Sequence, residues 1–127
     1  MQFQADTVNY DPCDDEYVAY VFFSGRGAQR EHYLVLNRCL QPGNESDAFV
    51  ELDDQSQCAR GGVAGFELHR NRLTLLLEQD ASRCLGLAGE THISVDFVVD
   101  DEFFRGLNGA LRSILKGADP ARGSETP

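Results

Sequence analysis

The sequence lacks any apolar run that approaches the roughly 20 residues of a membrane-spanning helix. Its first ten residues, MQFQADTVNY, contain neither the basic start nor the apolar centre of a secretion signal. These two absences predict a soluble protein of the cytoplasm. With 127 residues, of which 42% are hydrophobic, the chain has the size and composition of one globular domain. We expect that domain to span residues 1–117, and the polar residues 118–127 to form a disordered tail.

The cysteine pattern argues against a zinc site. The chain has no C-x-x-C pair, and no histidine lies near a pair of cysteines. We therefore expect reduced and mostly buried thiols, although an even number of cysteines would also allow two disulfides in an exported protein. The four residues are Cys13, Cys39, Cys58 and Cys84, of which Cys58 is expected to be the most exposed.

Motifs of catalysis and phosphate binding are also missing. Ser24 is not part of a G-x-S-x-G nucleophile turn, and residues 25–27 lack the further glycine and the lysine of a phosphate-binding loop. The sequence therefore predicts no cofactor and no catalytic residue. An enzyme whose catalytic groups are distant in sequence remains an alternative.

Metal-binding patterns are no stronger. Glu51, Asp53 and Asp54 have the oxygen ligands that Mg²⁺ or Ca²⁺ prefers, but the spacing of a calcium-binding loop is absent. The three histidines have no histidine or carboxylate at a ligand-like local spacing, so each is expected to be structural. They are His32, His69 and His92. We therefore expect no metal site.

Basic residues are scarce. The chain has 11 Lys and Arg residues against 21 Asp and Glu residues, for a formal net charge of −10. Such a surface repels nucleic acid and attracts a basic partner over about a Debye length, roughly 8 to 10 Å. The sequence predicts no nucleic-acid partner. Net acidity by itself also keeps a cytosolic protein soluble, so charge alone does not establish a partner.

Alternation of apolar and polar residues predicts most of the strands. They are expected in residues 2–8, 17–23, 31–40, 49–52, the two halves of 63–77, and 91–99. Residues 17–23, YVAYVFF, are apolar on both sides, which predicts a strand buried on two faces. Residues 53–57 favour a turn.

Turn residues connect these strands. Gly61-Gly62 allows positive φ and a sharp turn into the next strand. The following hairpin is expected to turn at Arg70-Asn71-Arg72, where Asn71 tolerates a left-handed conformation. Residues 80–86 predict a short helix that Asp80 caps and Gly86 ends.

The last predicted element is an amphipathic helix within residues 100–117. Apolar residues recur there at helical spacing, acidic residues stand at its start, and Lys116 stands at its end. Gly106 and Gly109 each cost about 1 kcal/mol relative to alanine, so packing on the sheet must hold this helix. The predicted fold is α+β, a largely antiparallel sheet of six to seven strands with the C-terminal helix packed on one face.

Four segments, in this order, resemble the immunity protein 10 family of bacterial polymorphic toxin systems. They are YLVLNR at 33–38, FVELDDQ at 49–55, GGV at 61–63 and LHRNRLTL at 68–75. The resemblance extends from about Phe3 to Leu115, with departures from the family pattern at Asn37 and Phe49. It implies a protein without enzymatic activity that binds and inhibits a cognate toxin domain inside the producing cell. The alternative is a small cytosolic α+β domain that binds a ligand or catalyses a reaction.

The resemblance implies a partner-binding surface, for which acidic loops are the candidates. They suit a nuclease toxin in particular, because nucleases have basic clefts and opposite charges speed association. The expected site residues are Asp14, Asp15, Glu16, Glu51, Asp53, Asp54, Gln55 and Arg60, with Glu45 and Asp47 as further acidic candidates. Each charge could equally be an ordinary solvated loop charge. No membrane partner is expected, and a monomer and a homodimer both remain open.

Two of these residues make the expectation testable. We expect Asp53 and Asp54 to lie in a water-exposed turn, where substitutions usually matter little for folding. Reversing both charges should then weaken toxin binding and leave stability unchanged.

Overall fold

One sheet and two helices make up the fold. The computed structural model describes residues 1–11, 18–43, 46–116 and 119–120. Within them the chain forms eight strands, a further pairing of two residues, and two helices. In chain order the elements are β1 (Gln2–Asp11), β2 (Val18–Arg26), β3 (Glu31–Cys39), β4 (Phe49–Leu52), β5 (Asp54–Arg60), β6 (Val63–His69), β7 (Arg72–Leu77), α1 (Gln79–Cys84), β8 (His92–Asp96), α2 (Asp101–Ile114) and β9 (Asp119–Pro120).

The sheet is strongly curled. Its strand order is β5-β4-β3-β2-β1-β8-β7-β6-β9, and only the β1–β8 and β6–β9 pairs are parallel. Strands β5 and β6 lie at opposite ends of the eight longer strands, yet Gly61 and Gly62 alone connect them. Three Cα–Cα steps span at most about 11 Å, whereas eight strands side by side in a flat sheet are about 34 Å wide. The sheet therefore curls until its two edges approach each other at this connection.

The connection needs glycine at both positions. Gly61 and Gly62 have φ values of 80° and 83°, as the sequence predicted. The Gly61 amide donates to the Ala48 carbonyl at 2.8 Å, and the Gly62 carbonyl accepts from the Glu78 amide at 2.8 Å. A Cβ at Gly62 would lie 2.6 Å from the Cβ of Ala81. These contacts join the start of β4, the two edge strands and the start of α1.

The inner face of the sheet and the two helices share one hydrophobic core. Helix α2 packs on β1, β2 and β3, and α1 packs on β5. The sheet contributes Phe3, Val21, Phe23, Leu34, Leu36, Val50, Leu52, Phe66, Leu68, Leu73, Leu75, Ile93 and Val95, and the helices contribute Ala81, Leu107, Ala110, Leu111 and Ile114. The sequence identified the inner face correctly for β1, β6, β7 and β8, where apolar and polar residues alternate. The predicted α+β fold, with a largely antiparallel sheet and a C-terminal helix, is confirmed.

Charged and polar groups at both ends hold α2. The Asp100 side chain accepts a hydrogen bond from the Phe103 amide at 2.8 Å and so caps the first turn. At the other end, Arg38 of β3 donates to the carbonyls of Ile114, at 3.2 Å, and of Lys116. A cation at the carbonyl end of a helix is favourable because it meets the negative end of the helix dipole. Arg38 thereby ties the helix to the sheet.

The two glycines of α2 have different surroundings. A Cβ at Gly106 would lie 1.9 Å from the hydroxyl oxygen of Tyr10, whose ring packs edge-on against Phe103 at 4.9 Å. A Cβ at Gly109 would meet nothing within 4 Å. Gly106 therefore admits the tyrosine of β1 to the helix surface, and Gly109 has no such role.

Two strand predictions were wrong, and both concern the outer surface. Strand β2 is not buried on two faces, because Val18 and Tyr20 are 40% and 37% exposed. Of residues 53–57, which were predicted to form a turn, only Asp53 turns the chain, and the rest belong to strand β5, which pairs with β4. Sequence periodicity predicts that a segment is a strand, but it does not show whether another part of the protein covers the outer face of that strand.

Two details of the turns were also wrong. The hairpin of β6 and β7 is confirmed, but among the described residues other than glycine only Asp53 and Ala88 have positive φ, so Asn71 is not left-handed. Asn71 instead exchanges two hydrogen bonds with the backbone of Phe97, at 3.0 and 3.3 Å. Asp80 does not cap α1. It lies in the first turn and accepts from Arg83 at 2.8 Å.

The predicted boundary of the domain stays a prediction. Asp119 and Pro120 pair with β6. Residues 118 and 121–127, the rest of the predicted tail, lie outside the described residues.

Replacing each glycine of α2 with alanine should have opposite effects. We expect Gly106→Ala to lower the free energy of unfolding by about 1 to 3 kcal/mol, because the Tyr10 ring must move away from its contacts. Gly109→Ala should raise it by up to about 1 kcal/mol, because the position is open and alanine favours the helix. Urea unfolding of both variants and the unmodified protein measures this, and equal stabilisation by the two substitutions would contradict the packing of Tyr10 on α2.

Candidate functional site

The outer face of β2, β3 and β4 carries a continuous apolar surface. In the antiparallel registers Phe22 lies opposite Val35, and Val35 lies opposite Glu51. Residues that lie opposite each other share a face of the sheet, so neighbouring side chains on this side form one surface. We call it the outer apolar patch, and it consists of Tyr20, Phe22, Tyr33, Val35 and Phe49.

Each residue of the outer apolar patch keeps contact with solvent. Tyr20 is 37% exposed and the other four are partly exposed. Their neighbours on the inner face are different, since Val21 and Leu34 are fully buried beneath α2. A contiguous surface of aromatic and β-branched residues on a solvated sheet face is typical of a protein-binding site.

The outer face of the other half of the sheet carries polar side chains that pair with one another. Thr74 of β7 and Ser94 of β8 share a hydrogen bond at 3.0 Å. Arg72 forms a two-point ion pair with Asp96, whose carboxylate also accepts from Gln2 at 2.9 Å. The hydrogen bonds from Arg72, with a smaller contribution from Gln2, hold the pKa of Asp96 below its ordinary value. One sheet thus has two outer surfaces of opposite character.

A carboxylate lies among the aromatic residues of the patch. The Tyr33 hydroxyl donates to Oε2 of Glu51 at 2.7 Å. This hydrogen bond is the main cause that raises the pKa of Tyr33 to about 12, followed by burial and by the negative charges of Glu51, Asp54 and Asp53. The acceptor favours the protonated hydroxyl, so the bond fixes both side chains at neutral pH.

Aromatic contacts define the surface on either side of Glu51. The rings of Phe22 and Tyr33 stack at 6.3 Å between centroids, with 26° between their planes. The guanidinium of Arg60 lies over the ring of Phe49 at 5.4 Å. The patch therefore already holds one cation by its aromatic face, near the edge strand β5.

Asp53 does not lie in a water-exposed turn, and that prediction was wrong. Its side chain is only 10% exposed. The carboxylate accepts from the Tyr33 amide at 3.0 Å, from Arg30 at 2.9 Å and from Nδ1 of His32 at 2.7 Å, and the Asp53 amide donates to the Tyr33 carbonyl at 3.1 Å. With φ of 66°, Asp53 turns the chain between β4 and β5. It is a structural residue whose charge is already paired.

The other predicted site residues are divided among three places. Asp54 and Gln55 are exposed at the start of β5, where hydrogen bonds from the amide and hydroxyl of Ser56 hold the pKa of Asp54 below its ordinary value. Glu51 and Arg60 lie on the outer face with the patch. Asp14, Asp15 and Glu16 lie outside the described residues, as does Glu45.

A comparison with models of known protein families finds a match for this chain. The family model for immunity protein 10 matches residues 4–104. The chain belongs to the immunity protein 10 family. That family is one of immunity proteins, which agrees with the resemblance seen in the sequence. No curated protein and no solved structure matches the chain.

The segments by which this chain resembles the immunity protein 10 family occupy defined positions in the structure. In residues 33–38, Tyr33 reaches the outer apolar patch, while Arg38 caps α2. In residues 49–55, Glu51 lies on the patch and Asp53 closes the turn beneath it. These residues therefore divide between the fold and the candidate surface.

The structure also shows the environments of the cysteines and of His32. The prediction that Cys58 is the most exposed cysteine was wrong, since Cys58 and Cys39 are partly buried and Cys84 is exposed. His32 is mostly buried and held by Asp53, as expected of a structural histidine. Across the described ranges, no three His, Cys, Asp or Glu residues are grouped as a metal site would require, and neither helix is long and apolar enough to cross a membrane.

The aromatic part of the surface was not found from the sequence. Tyr20 and Phe22 were assigned to the core because residues 17–23 are apolar on both sides. The available signal was the contrast with residues 92–96, whose outer positions are His, Ser and Asp. Apolar outer positions on neighbouring strands, in a sheet with polar outer positions elsewhere, indicate a binding face.

Asp53 and Asp54 should differ sharply in their importance for folding. We expect Asp53→Ala to lower the free energy of unfolding by about 1 to 3 kcal/mol, because it removes three hydrogen bonds and leaves alanine at positive φ. Asp54→Ala, at an exposed position, should have a much smaller effect. Chemical unfolding of the two single variants measures the difference, and similar stabilities would contradict the structural role of Asp53.

The protonation of Tyr33 should make stability fall at high pH. Between about pH 10, where tyrosine ionises in an unfolded chain, and about pH 12, the folded state keeps a proton that the unfolded state has lost. The free energy of unfolding should therefore decrease as the pH rises through this range. Tyr33→Phe removes this contribution, so its decrease from about pH 9 to about pH 11 should be smaller than that of the unmodified protein. Parallel decreases in the two proteins would contradict the raised pKa.

Proposed function

We propose that this member of the immunity protein 10 family neutralises a cognate toxin domain of a polymorphic toxin system in the cytoplasm of the producing bacterium. It binds the toxin and blocks it, and it catalyses no reaction. The family assignment supports the class of function, and the outer apolar patch supports a mechanism based on binding.

The toxin binds the outer apolar patch in this proposal. The patch combines partly exposed aromatic residues with an adjacent carboxylate, in a chain of net charge −10. Aromatic residues supply most of the binding energy at such interfaces, and charge complementarity speeds association. A basic toxin surface satisfies both requirements. A nuclease is therefore the class of toxin that we favour, because its substrate cleft must attract a polyanion.

The acidic residues expected from the sequence take secondary roles in this proposal. Glu51 and Arg60 contact the toxin directly, since they lie on the same face as the patch. Asp54 lies at the exposed start of β5 and steers the toxin toward the patch by its charge, and the neutral Gln55 beside it is a candidate polar contact at the rim. Asp14, Asp15 and Glu16 remain further candidates for steering. Asp53 acts by holding the turn that positions Glu51 and Tyr33.

The alternative function is a small ligand-binding or catalytic domain. Its sign would be an enclosed pocket in which polar groups converge. A surface depression beside the end of α2 includes Arg38 and Asp47, but it opens to solvent, and Arg38 is occupied by the carbonyls of α2. Turnover of a substrate that is lost on changing one buried polar residue would favour this alternative.

Co-expression tests the proposed function. We expect the gene beside this one to encode the toxin. Cells that express its toxin domain should stop growing, and this protein should restore growth. With a nuclease toxin, an equimolar amount of this protein should also stop degradation of plasmid DNA. No rescue by the unmodified protein, despite folded and soluble expression, would contradict the proposal.

A matched pair of variants tests the face. Phe22→Asp places a charge at the centre of the patch and should weaken toxin binding by about 30-fold or more, enough to lose the rescue. Leu76→Asp makes the same kind of change at a partly exposed position on the outer face of β7 and should keep the rescue. Thermal melts of both variants control for folding. Loss of rescue with Leu76→Asp alone would move the site to the other half of the sheet.

A further inference from the structure

Glu51 is an unusual residue to find on the same face as an apolar surface, directly beside it. It lies on β4 between Val35 of β3 and Cys58 of β5, both opposite it in the register, and it is partly buried. A carboxylate offers about four acceptor positions, and the Tyr33 hydroxyl occupies one of them. The remaining positions face the same side as the patch.

No cation neutralises Glu51 within the described part of the chain. Its hydrogen-bond partner is the neutral hydroxyl of Tyr33, and none of the ion pairs among residues 1–11, 18–43, 46–116 and 119–120 includes it. The nearby Arg60 is held over the ring of Phe49. Asp53, by contrast, has both Arg30 and His32. Of these two neighbouring carboxylates, the structural one is paired with the guanidinium of Arg30, and the one beside the patch has no such cation.

Any protein that covers the outer apolar patch also removes Glu51 from water. Burial of a carboxylate without a cation opposes binding strongly, and a paired cation offsets much of that cost. A wholly apolar partner surface would therefore bind poorly. The partner that fits must bring a positive charge to this point.

The surroundings of Glu51 favour arginine over lysine as that charge. The stacked rings of Phe22 and Tyr33 lie on one side of it, and the ring of Phe49 lies in the next row of the same face. A guanidinium is planar and weakly hydrated, stacks on aromatic rings and bonds a carboxylate at two points. The ammonium of lysine is more strongly hydrated and cannot form the paired bonds.

We propose that the outer apolar patch is a receptor for an arginine side chain of the toxin, whose guanidinium pairs with Glu51 and stacks on the aromatic rings beside it. This inference rests on the proposed function and specifies the chemistry of its partner. Tyr33 positions the Glu51 carboxylate, and Glu51 makes the contact.

The decisive variant is Glu51→Gln, with Glu67→Gln as its matched control. Glu67 lies on β6, on the outer face of the other half of the sheet, and its substitution removes the same charge. In calorimetric titrations of the purified toxin domain encoded by the adjacent gene, Glu51→Gln should weaken binding by about 30-fold or more. Glu67→Gln should change it less than about 3-fold. The loss should persist at high salt, because a buried pair is screened much less than surface charges.

Tyr33→Phe separates contact from positioning. If Glu51 served only to hold Tyr33, removing the hydroxyl would weaken toxin binding as much as Glu51→Gln does, and the inference would be wrong. In our proposal Tyr33→Phe keeps the ring and the carboxylate, so the loss should be several-fold smaller. Thermal melts of both variants show whether either loss comes from unfolding.

Arginine-to-alanine variants of the toxin identify the partner residue. One of them should lose as much affinity as Glu51→Gln, and combining it with Glu51→Gln should cause little further loss, as expected of two residues in direct contact. Replacing that arginine with lysine should restore only part of the affinity.

Two outcomes would overturn the inference, and they are distinguishable. If Glu51→Gln and the unmodified protein bind the toxin with the same affinity, the arginine site is wrong and the proposed function still stands. Absence of any binding by the unmodified protein would remove both. Sedimentation of the free protein is the last check, since a dimer that buries the patch against a second copy would also contradict an arginine receptor.

Discussion

The two-residue connection between the edge strands is the constraint on which the rest of the structure depends. Gly61 and Gly62 connect β5 and β6, which would lie too far apart for this connection if the sheet were flat. Both glycines have positive φ, and a Cβ at Gly62 would also collide with Ala81. The resulting curl gives the sheet an enclosed inner face and an outward-facing one. Helix α2 fills the enclosed side. Arg38 binds its carbonyl end, and Tyr10 packs against it at Gly106. Burial of the core is thus complete without the outer face.

That division explains why apolar residues on β2 and β3 are free to serve in binding. Val21 and Leu34 already supply the core, so the alternate residues Phe22 and Val35 add little to it. Exposed aromatic residues bring a risk of nonspecific association, which a functional interface justifies. On the remaining strands the same outer positions carry ion pairs and hydroxyl pairs, such as Thr74 with Ser94. The contrast between the halves makes binding the best explanation for the patch.

Two carboxylates close together in the sequence show how the backbone assigns different roles to similar residues. Glu51 is in an extended strand and points outward to the hydroxyl of Tyr33. Asp53 has positive φ, which turns its carboxylate toward the backbone of that same tyrosine and toward Arg30 and His32. One acid therefore stabilises the turn, and the other is available to a partner. Charge counting in the sequence treats them alike.

The sequence by itself determined the α+β class, most strands, the C-terminal helix and the family, because alternation, helical spacing and glycine pairs are local properties of the chain. Only the tertiary structure decided which side of 17–23 meets solvent and that polar residues 54–60 form a strand, since both depend on distant partners. It also decided the roles of Glu51 and Asp53. In a regular strand, two residues that are two positions apart have side chains on the same face. The backbone φ angle and the neighbouring strands decide whether the second side chain keeps that direction or turns away.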